Sequence, residues 1–158
     1  MNKNTLVKSL RGESAHVSPK QVFEDIDWQQ SGSCVDDSPY TIWELIWHMD
    51  YWQNFILEAL QRKHVSFPVH ARETWPDRLM PDDQEEWTEM VSKFMEGLAQ
   101  AENECSLDLS EQFEDLDHTT RLDLLMDLVI HNSYHTGQAV LLRRQLKKWP
   151  PPAGGQTW

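Results

Sequence analysis

The stretch TIWELIWHMDYWQNFILEALQRK, residues 41–63, decides how this chain folds. Thr41 and Glu44 have the spacing of a capping box, in which each side chain accepts the backbone N–H of the other residue. Apolar side chains then recur at helical spacing along one face, at Leu45, Met49, Trp52, Ile56 and Leu60. We therefore predict a long amphipathic helix that packs this face into a core.

Two further long helices are predicted on the C-terminal side of this stretch. One runs from about Asp82 to about Cys105, and the other begins near Thr120, where Asp123 completes a second capping box. The last helix continues to about Lys147, where the run WPPP stops it. The connection HVSFPVHARETWPDRLMP, residues 64–81, is long and holds three prolines, and loops of this length often carry function.

The N-terminal region is predicted to hold a short extra helix near residues 6–10 and the first of four main helices. That main helix starts at Ser18, which is followed by Pro19 in the first turn and by Gln21 in capping-box position. Four main helices, two long connections and no strand alternation predict an all-α fold, a four-helix bundle. The length of 158 residues suggests one domain, 1–158, with a loose tail from about residue 150.

Composition and charge exclude several classes of partner. The net charge of −12 argues against nucleic acid, which needs a basic surface, and against anionic membranes.

No segment approaches the roughly 18 apolar residues of a membrane span. Cys34 and Cys105 form no CxxC pair, and the first residues lack an apolar signal core. We therefore expect a cytoplasmic protein with free thiols.

Three of the seven histidines fall inside predicted helices, on faces that point towards the core. His131 and His135 belong to HNSYHTGQ, residues 131–138, and their spacing puts both rings on one side of a helix. His48 lies at or beside the inner face of the helix that begins at Thr41. Three such imidazoles from two helices can meet in space.

Three neutral imidazoles and a water form a tetrahedral metal site in which the water position is open to exchange. Such a site suits a catalytic role better than a structural one. Imidazole ligands suit zinc, nickel, copper and iron(II), so the residues alone do not choose the ion. An HxxxH pair also arises by chance, and inward histidines are often hydrogen-bonded core residues. Both interpretations stay open at this point.

Neighbouring polar residues on the same helices are candidates to support the histidines. Asp127 lies one turn before His131 and Glu44 one turn before His48, so either carboxylate can accept a ring N–H or simply face solvent. Tyr134 and Gln138 can reach a substrate or form ordinary contacts between helices. Trp43, Trp47, Trp52 and Trp75 are candidates to line a pocket.

Most of the chain resembles the DinB-like family of metal-binding helical bundles. The resemblance rests on four segments, ESAHVSPKQVFEDI, SPYTIWELIWHMDYWQNFIL, the loop motif TWP and HNSYHTGQAVLLRRQLKKWPPP. It implies a bundle of up-down-down-up topology, dimeric in many members, with His48, His131 and His135 as ligands of a metal in a pocket at one end. In several members a glutamate precedes the first histidine, whereas this chain has Trp47.

The resemblance also implies a function. Some relatives are S-transferases that use low-molecular-weight thiols such as bacillithiol or mycothiol, one related bundle is a mycothiol-dependent isomerase, and many are described as metal-dependent hydrolases. We therefore expect one divalent ion, zinc or nickel before iron or manganese, that activates water or a thiol towards a small-molecule electrophile. The alternatives are a metal-binding module without turnover and a small-ligand-binding protein. A homodimer is implied by the family resemblance alone.

Overall fold

The computed structural model describes residues 2–13, 15–152 and 154, and these residues are mostly helical. The three long helices are α4 (Ile42–Leu60), α5 (Gln84–Glu104) and α6 (Arg121–Gln145). Three short helices precede them: α1 (Lys3–Leu10), α2 (Pro19–Phe23) and α3 (Trp28–Ser31). The connections contain 3-10 turns at Ala71–Thr74 and Glu114–Leu116, and β1 (Gln112–Phe113) pairs antiparallel with β2 (Thr119–Thr120).

The predicted helix starts are confirmed where the capping side chains were identified. In α4, Thr41 accepts the N–H of Glu44, and the Glu44 carboxylate accepts the N–H of Thr41. Thr120 and Asp123 form the same reciprocal pair at the start of α6. Each pair gives hydrogen-bond partners to N–H groups that the helix itself leaves free, and so it fixes where the helix begins.

The first main helix predicted at Ser18 is wrong in its length. Ser18 does cap α2 and Pro19 does begin it, but the helix ends after five residues. Glu24 is extended, Asp25 has a positive φ of 55°, and the Asp27 side chain caps a separate short helix, α3. Short acidic side chains compete with helical hydrogen bonding in this way, so the Asp-containing run breaks the helix.

The directions of the long helices follow from paired contacts along them. Asp50 contacts Lys93 at 2.6 Å, and the Gln53 amide one turn later donates to the carbonyl of Phe94, so α4 and α5 run parallel. His48 lies beside His135 and Trp52 beside His131, so α4 and α6 run antiparallel.

The N-terminal segment runs alongside α6 in the same direction. His16 hydrogen-bonds to Ser133, and the Arg143 guanidinium, further along α6, donates a hydrogen bond to the carbonyl of Val22. The predicted loose tail falls partly outside the described residues, and within them Pro151 is buried. None of the helices in the described ranges is long and apolar enough to cross a membrane.

The connection between α4 and α5 runs back along α4 because the two helices are parallel. A helix of 19 residues is about 28 Å long, so residues 61–83 must return over that distance before α5 can begin. On the way they form the 3-10 turn Ala71–Thr74, and Thr74 and Pro76 are buried there. The connection is therefore part of the packed structure and covers one side of α4.

Two glycines in long helices should respond in opposite ways to substitution by alanine. A Cβ on Gly97 would overlap the side-chain amide of Gln53, which is fully buried and bonded to Phe94, so Gly97→Ala should destabilise the protein by about 1–3 kcal/mol. A Cβ on Gly137 meets nothing within 4 Å, so Gly137→Ala should stabilise it by about 0.5–1 kcal/mol. Urea denaturation measures both, and the same sign for the two variants would contradict the packing of α4 on α5.

Candidate metal centre

The structure brings together all three histidines that the sequence singled out. His48 comes from α4, and His131 and His135 come from consecutive turns of α6. One ring nitrogen from each lies within 4.8 Å of the others, and the ring centroids are 4.5–5.1 Å apart. The convergence follows from the antiparallel packing of α4 and α6, which places the inner face of one helix against the HxxxH pair of the other.

Two of the nitrogens are already spaced like metal ligands. The Nε2 atoms of His48 and His131 are 3.2 Å apart. Two nitrogens bound to one tetrahedral zinc at about 2.0–2.1 Å are separated by about 3.3 Å. These two nitrogens therefore suit a small divalent ion without a large movement of either helix.

The outer nitrogens of two rings are held by oxygen acceptors. His48 Nδ1 lies 2.8 Å from the carbonyl oxygen of Thr74, and His135 Nδ1 lies 2.6 Å from Oε1 of Gln138. A carbonyl oxygen only accepts, so each Nδ1 carries the proton and each Nε2 keeps a free lone pair. Nδ1 of His131 is buried and has no hydrogen-bond partner within the described ranges.

The two carboxylates considered as supports for the histidines do not bond to them. The Glu44 carboxylate is occupied by the capping box at the start of α4. Asp127 makes no bond to His131, whose Nδ1 is unpartnered among the residues described. Neutral oxygens from Thr74 and Gln138 support His48 and His135 instead. Gln138 could have been found from sequence, since it lies three residues after His135 on the same helix.

Aromatic rings enclose the histidines on two sides. Trp75 stacks on His48 with centroids 3.9 Å apart and planes 7° apart, and Tyr40 stacks on the other face of Trp75 at 4.0 Å. Trp52 lies edge-on to His131 at 6.4 Å. Of the four tryptophans left open by the sequence, Trp52 and Trp75 contact the histidines, whereas Trp43 is buried in the core and Trp47 stacks on Tyr51.

The local environment keeps the three imidazoles uncharged. Burial, with a smaller contribution from the neighbouring His135, lowers the pKa of His48 to about 4 against the opposing effect of the Thr74 carbonyl. Burial, followed by the charges of His135 and His48, lowers the pKa of His131 to about 4. Burial also lowers the pKa of His135. All three rings are therefore neutral at pH 7, the form in which imidazole binds metals.

The sequence model of the DinB family matches residues 36–156. This chain belongs to the DinB family. No curated protein and no solved structure matches it. The matched range contains the three histidines, Thr74, Trp75 and Gln138, whereas α1, α2 and α3 lie before it. The family resemblance predicted from the sequence is thereby confirmed, and the three-histidine group fits a family associated with metal binding.

The remaining histidines and both cysteines lie away from this centre. His16 bonds to Ser133 and to the carbonyl of Val17, and His64, His70 and His118 are exposed. Cys34 is exposed, and burial raises the pKa of the Cys105 thiol to about 11. Cys105 is therefore almost entirely protonated at neutral pH and is a poor nucleophile.

A cavity of about 500 Å³ opens beside the histidines. His131 and Trp52 form part of its wall, together with residues of α4, α6 and the turn between β1 and β2. Its lining is mainly apolar, and its volume is in the range of small-molecule binding pockets. The three-histidine group of this DinB-family chain thus borders a space large enough for a small molecule.

Protonation of the buried imidazoles should destabilise the metal-free protein. The pKa of His48 and of His131 is about 4 in the folded protein and 6.5 when unperturbed, so the unfolded chain binds more protons between these values. The free energy of unfolding should therefore decrease as the pH falls from 6.5 to about 4. Urea denaturation in the presence of EDTA measures this slope. A His48→Asn/His131→Asn variant should show a shallower slope, and an unchanged slope would assign the pH dependence to other groups.

Proposed function

We propose that this DinB-family chain binds one divalent metal ion through His48, His131 and His135 and is a metal-dependent enzyme. In this proposal the reaction is hydrolysis or S-transfer from a low-molecular-weight thiol, and the second substrate is a small electrophile. The observation that carries the proposal is the convergence of three neutral imidazoles from two helices, with one nitrogen of each within 4.8 Å of the others.

The direction of the hydrogen bonds made by the histidine rings supports metal binding over a purely structural role. Nε2 of His48 and Nε2 of His131 face each other at 3.2 Å, and the Thr74 carbonyl keeps the His48 proton on Nδ1. Gln138 holds the corresponding proton of His135. The outer contacts therefore leave Nε2 of His48 and Nε2 of His135 with free lone pairs, which a cation in this partly buried space would stabilise, and such contacts also raise the basicity of metal ligands.

Three protein ligands are typical of catalytic rather than structural metal sites, because one position stays open. When bound there, a divalent ion supplies Lewis acidity and lowers the pKa of a water or thiol in that open position. The chain contributes the fixed imidazoles, the Trp75 ring that shields His48 from water, and the adjacent cavity. Within the described residues, neither cysteine provides an alternative nucleophile near the histidines.

The ion is proposed to be zinc or nickel, with iron or manganese as alternatives. An all-imidazole set suits zinc, nickel and iron, whereas manganese prefers a set with more oxygen ligands. Purification without added metal, followed by elemental analysis, identifies the ion.

We further propose that the helices form an up-down-down-up four-helix bundle. The parallel contacts of α4 with α5, and the antiparallel contacts of α4 with α6, support this order. The N-terminal segment from α1 to α2 runs parallel to α6. In this proposal its short helices together take the place of the first helix of the bundle.

Removal of any one histidine should abolish stoichiometric metal binding. His48→Ala, His131→Ala and His135→Ala should each retain far less metal than the wild-type protein, because two imidazoles hold a divalent ion much more weakly than three. Elemental analysis of purified variants measures the bound ion, and His118→Ala, which changes an exposed histidine, is the matched control. Wild-type metal content in all three variants would rule out this ligand set.

The same proteins test whether the metal-loaded protein catalyses a reaction. Wild-type protein loaded with metal should consume an electrophile in the presence of water or a low-molecular-weight thiol, and EDTA should stop the reaction. Metal content without metal-dependent turnover for any thiol or for water would favour the binding module instead.

Gln138 should contribute to metal affinity although it does not touch the ion. Gln138→Ala removes the acceptor of the His135 Nδ1 proton, so it should weaken metal binding by about 10–100-fold. Competition with a chromogenic chelator measures the change, and Gln145→Ala, on the exposed end of α6, is the control. Equal affinities in the two variants would show that the ring is oriented by packing alone.

A further inference from the structure

The cavity beside His131 has an aromatic wall that leads away from the proposed metal. Trp52 lies 6.4 Å from His131, Phe55 lies 5.4 Å from Trp52, and Phe67 lies 4.8 Å from Phe55, measured between ring centroids. All three rings line the cavity of about 500 Å³. Aromatic faces carry negative charge density and attract cations, most strongly in the case of tryptophan.

The other polar groups in this cavity are acidic. Asp117, in the turn before β2, and Asp127, one turn before His131 on α6, both line it, as does Asp115. No lysine or arginine is part of the described lining. Arg62 and Lys63 border a separate groove that shares Asp115 and Leu116 with this cavity, and Arg62 is paired with Glu111.

The cavity thus combines an apolar aromatic wall with carboxylates and a negative potential, which the net charge of −12 reinforces. An anionic ligand would meet like charges there, whereas a neutral ligand would gain no attraction from the carboxylates, which are exposed. A ligand with an apolar body and one positive charge matches both features, because its cation can lie between the ring of Trp52 and a carboxylate.

We propose that this cavity binds an apolar organic cation, such as a protonated amine with an aryl or alkyl body, as the small substrate of the metal centre. This assignment rests on the proposed function, since His131 belongs both to the cavity wall and to the proposed ligand set. The charged end is held by Asp117 and Asp127, and the apolar body lies along the row of Trp52, Phe55 and Phe67.

Charge selectivity is tested with three ligands of similar size: 2-phenylethylammonium, 2-phenylethanol and 3-phenylpropanoate. Titration of EDTA-treated wild-type protein avoids direct ligation of a metal by the carboxylate probe. The ammonium ligand should bind about tenfold more tightly than the anion, and low salt should increase the difference. Equal or tighter binding of 3-phenylpropanoate would overturn the proposal.

Carboxylate variants identify the source of the selectivity. The double variant Asp117→Asn/Asp127→Asn should bind the ammonium and carboxylate ligands with nearly equal affinity. Asp117 has a positive φ of 53°, which asparagine tolerates well, so the substitution at this position should leave the turn intact. Glu89→Gln removes one exposed carboxylate on α5 outside the cavity and should keep the wild-type preference. An equal loss of selectivity in Glu89→Gln would assign it to overall charge.

An experiment on the metal-loaded protein distinguishes failure of this proposal from failure of the proposed function. With copper(II), a paramagnetic ion that suits imidazole ligands, bound at the three histidines, the proton signals of bound 2-phenylethylammonium should broaden through its proximity to the ion. Metal retention without charge selectivity would overturn the cavity assignment and leave the metal site intact. Charge selectivity in a protein that retains no metal would overturn the proposed function instead. Selective binding and retained metal without broadening would exclude the ligand from the space beside His131.

Discussion

The site depends on one constraint, the parallel packing of α4 against α5. Because the two helices start at the same end, the connection between Leu60 and Gln84 must travel back along the whole of α4. That return brings the carbonyl of Thr74 to Nδ1 of His48 and lays Trp75 flat on its ring. An antiparallel pair would need only a short loop at one end, and His48 would then lack both its hydrogen-bond acceptor and its cover.

A second feature of the site is that the groups hydrogen-bonded to the outer nitrogens of His48 and His135 are uncharged. The chain has 26 acidic residues, yet within the described ranges the oxygens bonded to the outer nitrogens of His48 and His135 belong to a peptide carbonyl and an amide. In the proposed function, a neutral donor set would leave the full charge of a divalent ion uncompensated. That charge would lower the pKa of a water or thiol more strongly than it would beside ligating carboxylates. Asp115, Asp117 and Asp127 lie along the adjacent cavity instead.

The sequence is informative where a local rule fixes a structure. Capping side chains located the starts of α4 and α6, and helical spacing placed the three histidines on inner faces, because both rules act within one or two turns. The partner of His48 could not be predicted, since Thr74 lies 26 residues away and reaches the ring only through the path of the connection. The five-residue length of α2 was also missed, because apolar spacing continued through Ile26 while Asp25 and Asp27 broke the backbone.

Trp47 shows how this chain supports its first histidine without a carboxylate beside it. The ring of Trp47 stacks on Tyr51 and borders a different cavity, so this position does not reach His48. The acceptor for the His48 proton is a backbone oxygen, which no side-chain substitution at Thr74 can remove. The orientation of His48 is therefore tied to the conformation of residues 61–83. Any opening of that connection would free the ring and uncover the three histidines together, so in the proposed function metal affinity and access of water would be coupled through this one segment.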